Sequence, residues 1–176
     1  MKLTIFRRNI FTTYNHCYYE LSLSSYNPVE TKRLTCIAIT DPDISEVHLS
    51  KALRKMLKEQ PSYVTGYLFQ DENSNIVGHV FLMRRGGTEV LYKIRHIDYY
   101  LFALRVFEEY RGNGYAGEIL TTVIDMLAQK GAERFYLTVK KDNVPARKVY
   151  DRLGFKVIGK RFFVRVWKMN IPYYQL

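Results

Sequence analysis

Cysteine is scarce: Cys17 and Cys36 are the only two in 176 residues. Neither belongs to a C-x-x-C pair or a Cys/His cluster at metal-ligand spacing, which argues against a disulfide framework and against a metal site. They read as reduced, packed thiols. Long apolar runs are missing too. No stretch approaches the length needed to span a bilayer, and the opening MKLTIFRRNIFTTY lacks an uninterrupted signal core, so the expectation is a cytoplasmic protein with no membrane partner. Internal repeats and low-complexity tracts are absent, which sets aside solenoids and arrays. Acidic residues are in deficit, 17 against 27 Lys and Arg, for a net charge of +10. That excess predicts attraction to a polyanion, whether nucleic acid, an acidic surface or a phosphate-rich small molecule, and does not choose among them.

What is present suffices for one cored domain, since 47% of the residues are hydrophobic. The only linker-like composition, SLSSYNPVETK, sets a Tyr-rich start apart, so residues 1–32 read as an N-terminal β extension of the domain formed by residues 33–176. RLTCIAIT alternates as a strand. Ile44, Leu49, Leu53, Met56 and Leu57 then form a helical stripe ended by Pro61. YVTGYLFQ and IVGHVFLMRR flank the turn-rich DENSN as a hairpin, and a further strand lies within LYKIRHIDYYLFALRVF. Beyond Phe107 the order changes to helix, strand, helix, strand. Ala116, Ile119, Leu120, Val123 and Leu127 mark a helix ending at Gly131; RFYLTV is a buried-type strand; VPARKVYDRLGF is a short helix with Pro145 in its first turn and Gly154 at its end. KVIGKRFFVRVWKM closes the pattern as β structure. The fold class is α/β, with a mixed sheet.

Gly112, Gly114 and Gly117 form a G-x-G-x-x-G, the spacing by which dinucleotide-binding folds hold a pyrophosphate. The context argues against NAD: the polar EEYR separates the strand from the first glycine, and the next strand ends in Lys140 and Lys141 where an acid should meet the ribose. No Lys-Ser or Lys-Thr follows, so the loop is no Walker A motif either. The physics of the loop survives these exclusions. Small residues let backbone N–H groups approach phosphate oxygens, and a helix beginning near Ala116 directs its positive end at them.

YRGNGYAGEIL followed by LTVKKDNVPARKVYDRLGF resembles the Gcn5-related N-acetyltransferase family. The family's pyrophosphate loop, R/Q-x-x-G-x-G/A, is met by Arg111, Gly114 and Ala116. Its second signature is met by Asn143, Ala146, Tyr150, Gly154 and Phe155. The resemblance implies a strongly twisted mixed sheet flanked by helices, whose central strands splay to admit the pantetheine arm of acetyl-CoA, the co-substrate. It places the cofactor on Arg111, Gly112, Asn113, Gly114, Tyr115 and Ala116, with Asn143 and Arg147 beyond and backbone amides near Leu104 and Val106 facing the thioester. Lys140, Lys141 and Lys148 lie on the same segments, though each taken singly reads as a solvated charge. Arg111 is the stronger candidate.

By the same resemblance Tyr150 stands where relatives keep a phenol as general acid for the leaving thiolate. Counting back from Arg111, Asp98 falls where histone-acetylating relatives keep a catalytic Glu. His96, two residues away, lies on the same face of an extended strand. Either is the candidate base, acting directly or through water. His16, His48 and His79 have no motif context and read as structural.

The expected activity is acetyl transfer from acetyl-CoA to a primary amine of a small molecule, with no metal and no nucleic acid, by a monomer or homodimer. The basic and aromatic segments RRGGTEVLYKIRH and KRFFVRVWKMNIPYY favour an amino sugar or amine metabolite over a polycationic acceptor. The alternatives are a non-catalytic acyl-CoA sensor and a basic module that grips nucleic acid or an acidic partner.

Overall fold

The computed structural model describes residues 2–5, 8–31, 34–44, 47, 49–87, 95–166 and 169–175. Nine strands, β1 Lys2–Ile5, β2 Arg8–Ser22, β3 Thr35–Ala38, β4 Val64–Gln70, β5 Ile76–Met83, β6 Tyr99–Val106, β7 Arg134–Lys140, β8 Lys156–Val166 and β9 Met169–Gln175, join one sheet. Among the described residues three α-helices accompany them: α1 Lys51–Glu59, α2 Tyr115–Ala128 and α3 Val144–Arg152. The strand order is β3-β4-β5-β6-β7-β2-β8-β9, with β1 on β2. Only the β6–β7 pair is parallel among the described pairings, because α2 carries the chain back over the sheet between them.

Local signals set most boundaries. Ser50 caps α1 by accepting from the Leu53 N–H, and the helix stops one residue before Pro61. The helical stripe was expected to begin at Ile44. Instead the carboxylate of Asp41 accepts from the Asp43 N–H in a turn, and Val47 and Leu49 enter the core ahead of the helix. The DENSN joint closes as expected, with Asp71 accepting from the N–H groups of Asn73 and Asn75.

The sheet is covered on both faces. One core gathers Ile119, Leu120, Val123 and Ile124 of α2, Tyr150 and Leu153 near α3, and Tyr19, Leu101, Phe135 and Leu137 from the strands. The other lies on the α1 side, around Val47, Leu49, Leu57, Phe81, Met83 and Tyr100.

The N-terminal strand is not an edge. β2 lies between β7 and β8, pairing His16–Ser22 with β7 and Phe11–Glu20 with β8. The loop after it laces the two later helices together: the Tyr26 hydroxyl donates to the Thr121 carbonyl, the Val29 N–H to the Thr121 hydroxyl, and the Asn27 N–H to the Leu153 carbonyl at the end of α3. There Gly154 adopts φ +95°, and a methyl group on it would overlap the Ser25 carbonyl. Cys17 on β2 and Cys36 on β3 are free thiols, set far apart in the strand order. Burial pushes the Cys36 thiol up to about 11. Among the described residues no helix is long and apolar enough to cross a membrane.

Candidate active site

β6 and β7 run together only from Tyr99–Leu101 against Phe135–Leu137. Past Leu101 they part, because β6 keeps to β5 while β7 continues along β2. The divergence coincides with a bulge: Gly78 opposes Val106, His79 opposes Arg105, and then Phe81 opposes Phe102, leaving Ala103 and Leu104 across from Val80 alone. Ala103 has φ +48°, a left-handed conformation uncommon for a residue with a Cβ, and such outliers gather at functional sites. Ala103 and Leu104, both in the bulge, line the opening.

Two cavities meet there, sharing Leu104, Asn143 and Tyr150. The first, about 550 Å³, runs from the end of β6 along the glycine loop to α3 and is lined also by Val106, Arg111, Gly112, Gly114, Tyr115 and Ala116. The second, about 380 Å³, occupies the parting of β6 and β7 and is lined also by His16, Phe102, Thr138 and Lys140. Gly112 and Gly114 adopt φ +86° and +81°, so glycine is favoured at both, and Gly114 caps α2. A Cβ on Gly112 would meet nothing within 4 Å, so the backbone there stays open to a ligand. The first turn of a helix leaves N–H groups outside its own ladder, which with the helix dipole makes an anion seat.

Asn143 caps α3, its side-chain oxygen accepting from the Ala146 N–H. Two turns on, Tyr150 is buried, 7% exposed, packed against Tyr19 and Phe155. Its phenol is pushed up to about 12 by burial first and by nearby Tyr100 and Tyr19 second, so it holds its proton at neutral pH.

Nine of the residues singled out in the sequence therefore line one cavity: Leu104, Val106, Arg111, Gly112, Gly114, Tyr115, Ala116, Asn143 and Tyr150. Asn113 does not; its side-chain amide donates to the Tyr110 carbonyl. Arg147 donates to the Tyr19 hydroxyl and the Lys141 carbonyl, tying α3 to β2.

The structure does not bring Asp98 and His96 to either cavity. Residues 95–98 form a turn ahead of β6, so the alternation expected of an extended strand fails. His96 is exposed. Asp98 is buried, 1% exposed, and accepts from the Arg95 backbone N–H and guanidinium, while Arg95 also reaches Glu133. The carboxylate is thus committed to the end of β6 remote from the parting. His79 is buried beside Phe81 and Phe107, and desolvation, helped by Arg105, pushes it down to about 4, in keeping with a packing role. His48 lies outside the described residues. His16, read from sequence as structural, lines the parting cavity. Its signal was the alternation of YNHCYYELS, but nothing local places that strand beside β7.

A sequence model described as the Acetyltransferase (GNAT) family matches residues 31–155. The chain belongs to this family. Its members generally use acetyl-CoA, and the loop, the helix end and the parted strands fit that ligand. The chain is 28% identical to N-alpha-acetyltransferase 30 of Schizosaccharomyces pombe over 116 residues, 64% of this chain and 70% of the relative. It is 40% identical to a mycothiol acetyltransferase of Corynebacterium aurimucosum over 57 residues, 32% of this chain but 19% of that protein. It is 38% identical to a [ribosomal protein bS18]-alanine N-acetyltransferase of Haemophilus ducreyi over 61 residues, 35% of this chain and 42% of the relative. It thus spans well under half the length of two of these three. Among solved structures, a GCN5-related N-acetyltransferase from Sphaerobacter thermophilus superposes with TM-score 0.60 at 13% identity, covering 94% of this chain and 54% of the other, a likeness of fold.

Proposed function

We propose that the chain transfers an acetyl group from acetyl-CoA to a primary amine of a small molecule by direct attack on the thioester. The observation that carries this reading is the junction at Leu104, Asn143 and Tyr150, where the cavity along the glycine loop meets the cavity in the parting of β6 and β7. Acetyl-CoA supplies an activated acyl group whose thiol departs when an amine attacks. Arg111 and the backbone from Gly112 to Ala116 would hold the pyrophosphate, with Asn113 and Arg147 at the margin.

Backbone N–H groups of the bulge at Ala103 and Leu104 are suited to receive the charge that develops on the carbonyl oxygen. Tyr150, kept protonated by burial, is suited to give a proton to the leaving thiolate. The modest parting cavity, with Lys140 and Phe102 in its wall, favours a small amine carrying polar or anionic groups, such as an amino sugar or amine metabolite.

The test is thiol release from acetyl-CoA across a panel of amino sugars, amine metabolites and N-terminal peptides, with DNA binding over a salt series as control. Release with small amines and not with peptides is the expected result. Release with peptides alone would overturn the acceptor class. Acetyl-CoA binding with no release for any amine would leave a sensor in place of an enzyme.

A further inference from the structure

The parting cavity is lined by residues from both faces of the sheet, and its two sides carry different chemistry. Along β2, Cys17, Tyr19 and Leu21 point into the core beneath α2 and α3, so His16, Tyr18 and Glu20 belong to the opposite face. The pairing of β2 with β7 sets His16 beside Lys140 and Tyr18 beside Thr138. On β7 it is Phe135, Leu137 and Val139 that join the α2/α3 core, which leaves Thr138 and Lys140 on the face of His16. Tyr150 lines the cavity from the α3 side, and His16 lines it from the other.

A thioester held by the α2 loop would enter on the Tyr150 side, which leaves the His16 side for an amine attacking its carbonyl. That side needs a group able to take a proton near neutrality. Lys140 as a cation offers no lone pair, Tyr150 holds its proton, and Asp98 and His96 lie elsewhere. Imidazole has the required chemistry. The geometry points to His16 as the general base of the transfer, a catalytic residue supplied by the N-terminal strand; this rests on the acetyl-CoA reading above.

The step balances without a further reactant. The amine nitrogen bonds to the thioester carbon while one N–H proton passes to the His16 imidazole; the C–S bond then breaks, and the thiolate takes the Tyr150 proton. His16 returns its proton to solvent and Tyr150 regains one. Among the described side chains, the titratable and charged groups around His16 are Lys140 across on β7, Tyr18 along its own strand, Tyr150 from α3 and Tyr100, whose hydroxyl is 2.7 Å from that of Thr138; on β8 the register position opposite His16 is residue 161.

Two measurements on the full chain test this. Bromoacetyl-CoA carries an electrophilic carbon at the acyl position. It should alkylate the His16 imidazole with loss of bromide, read as a mass increase on the peptide containing residue 16 and suppressed by excess CoA. Labelling of Cys17, on the other face, or no label despite CoA-competitive binding, would overturn the proposal. The second is the pH dependence of thiol release from acetyl-CoA with methoxyamine, which stays neutral across the assayed range. His16→Gln should lower the rate by about 10²-fold or more and remove the ascending limb, with thermal protection by CoA intact. An unchanged limb in His16→Gln would also overturn it. If neither CoA nor bromoacetyl-CoA raises the melting temperature of the unmodified protein, the acetyl-CoA reading itself fails, and His16 as base fails with it.

Discussion

Tyr19 of β2 meets Tyr150 of α3 edge to face, with 5.7 Å between ring centroids, and the Tyr19 hydroxyl accepts from Arg147 at 3.1 Å. The N-terminal strand is therefore the surface against which the proposed acid is positioned. Tyr150→Phe keeps the ring and removes the proton, so turnover should fall by roughly 10²–10⁴ with acetyl-CoA affinity unchanged. Tyr19→Phe should behave oppositely, costing about 1–2 kcal/mol in urea unfolding through the lost Arg147 bond and leaving turnover within about twofold. Equal turnover in wild type and Tyr150→Phe would reduce Tyr150 to a packing residue.

The glycine loop makes a second prediction, in binding. At a hundredfold excess over Kd, acetyl-CoA should stabilise the protein by about 2.7 kcal/mol, a rise of roughly 5–10 °C in Tm for a chain of this size. Arg111→Ala should remove most of that rise while leaving the unliganded Tm in place, since Arg111 is exposed and donates from Nε to the Val106 carbonyl over a long 3.4 Å. Gly112→Ala should cost about 1–3 kcal/mol by itself, for placing a Cβ at φ +86°. A full thermal shift in Arg111→Ala would move the pyrophosphate elsewhere.

Asp98 and His96 should separate stability from catalysis. Asp98→Asn weakens the charged bonds to a half-exposed Arg95 and should cost about 1–3 kcal/mol, with kcat per folded molecule little changed. His96→Gln, at an exposed turn, should change neither. A collapse of kcat in Asp98→Asn at full stability would restore the carboxylate as the base.

The contrast between these residues shows what was legible in the sequence. From Arg111 to Phe155 the determinants are local: glycines with positive φ, a helix cap at Asn143, a Pro in the first turn, a Gly at the end. Seven of the residues that the family resemblance singled out within this stretch, Arg111, Gly112, Gly114, Tyr115, Ala116, Asn143 and Tyr150, line one cavity. Asp98 was misjudged because the spacing argument ran a strand through residues that form a turn, and the Arg95 partner three residues earlier carries no sequence signature. His16 was missed for a different reason. Alternation reads the same on an edge strand as on an interior one, and the partners that make β2 interior lie more than a hundred residues away.

His79 supplies a prediction about pH. Its folded-state pKa, about 4, lies below the ordinary 6.5, so only the unfolded chain takes up the proton between those values. Above pH 6.5 both states hold the neutral ring and the residue has no pH effect. As pH falls from 6.5 to 4 the native state should lose roughly 3 kcal/mol from this group, with no further loss from it below. Urea midpoints measured across that window should slope downward in wild type and flatten in His79→Leu. Identical slopes would assign the acid sensitivity to other groups.

The placing of β2 between β7 and β8 also has a kinetic side. A strand with a neighbour on each flank cannot finish its hydrogen bonding until both neighbours exist, and here both come from the far end of the chain. During synthesis β2 emerges well before β7 and β8 and waits for both while the intervening chain is made. Once they meet, β2 closes the largest chain loops among the described strand pairings, and such long-range pairing slows folding. The last event in folding should thus be the entry of the first long strand, and the proposed base would reach its place only when the barrier to the native state has been crossed.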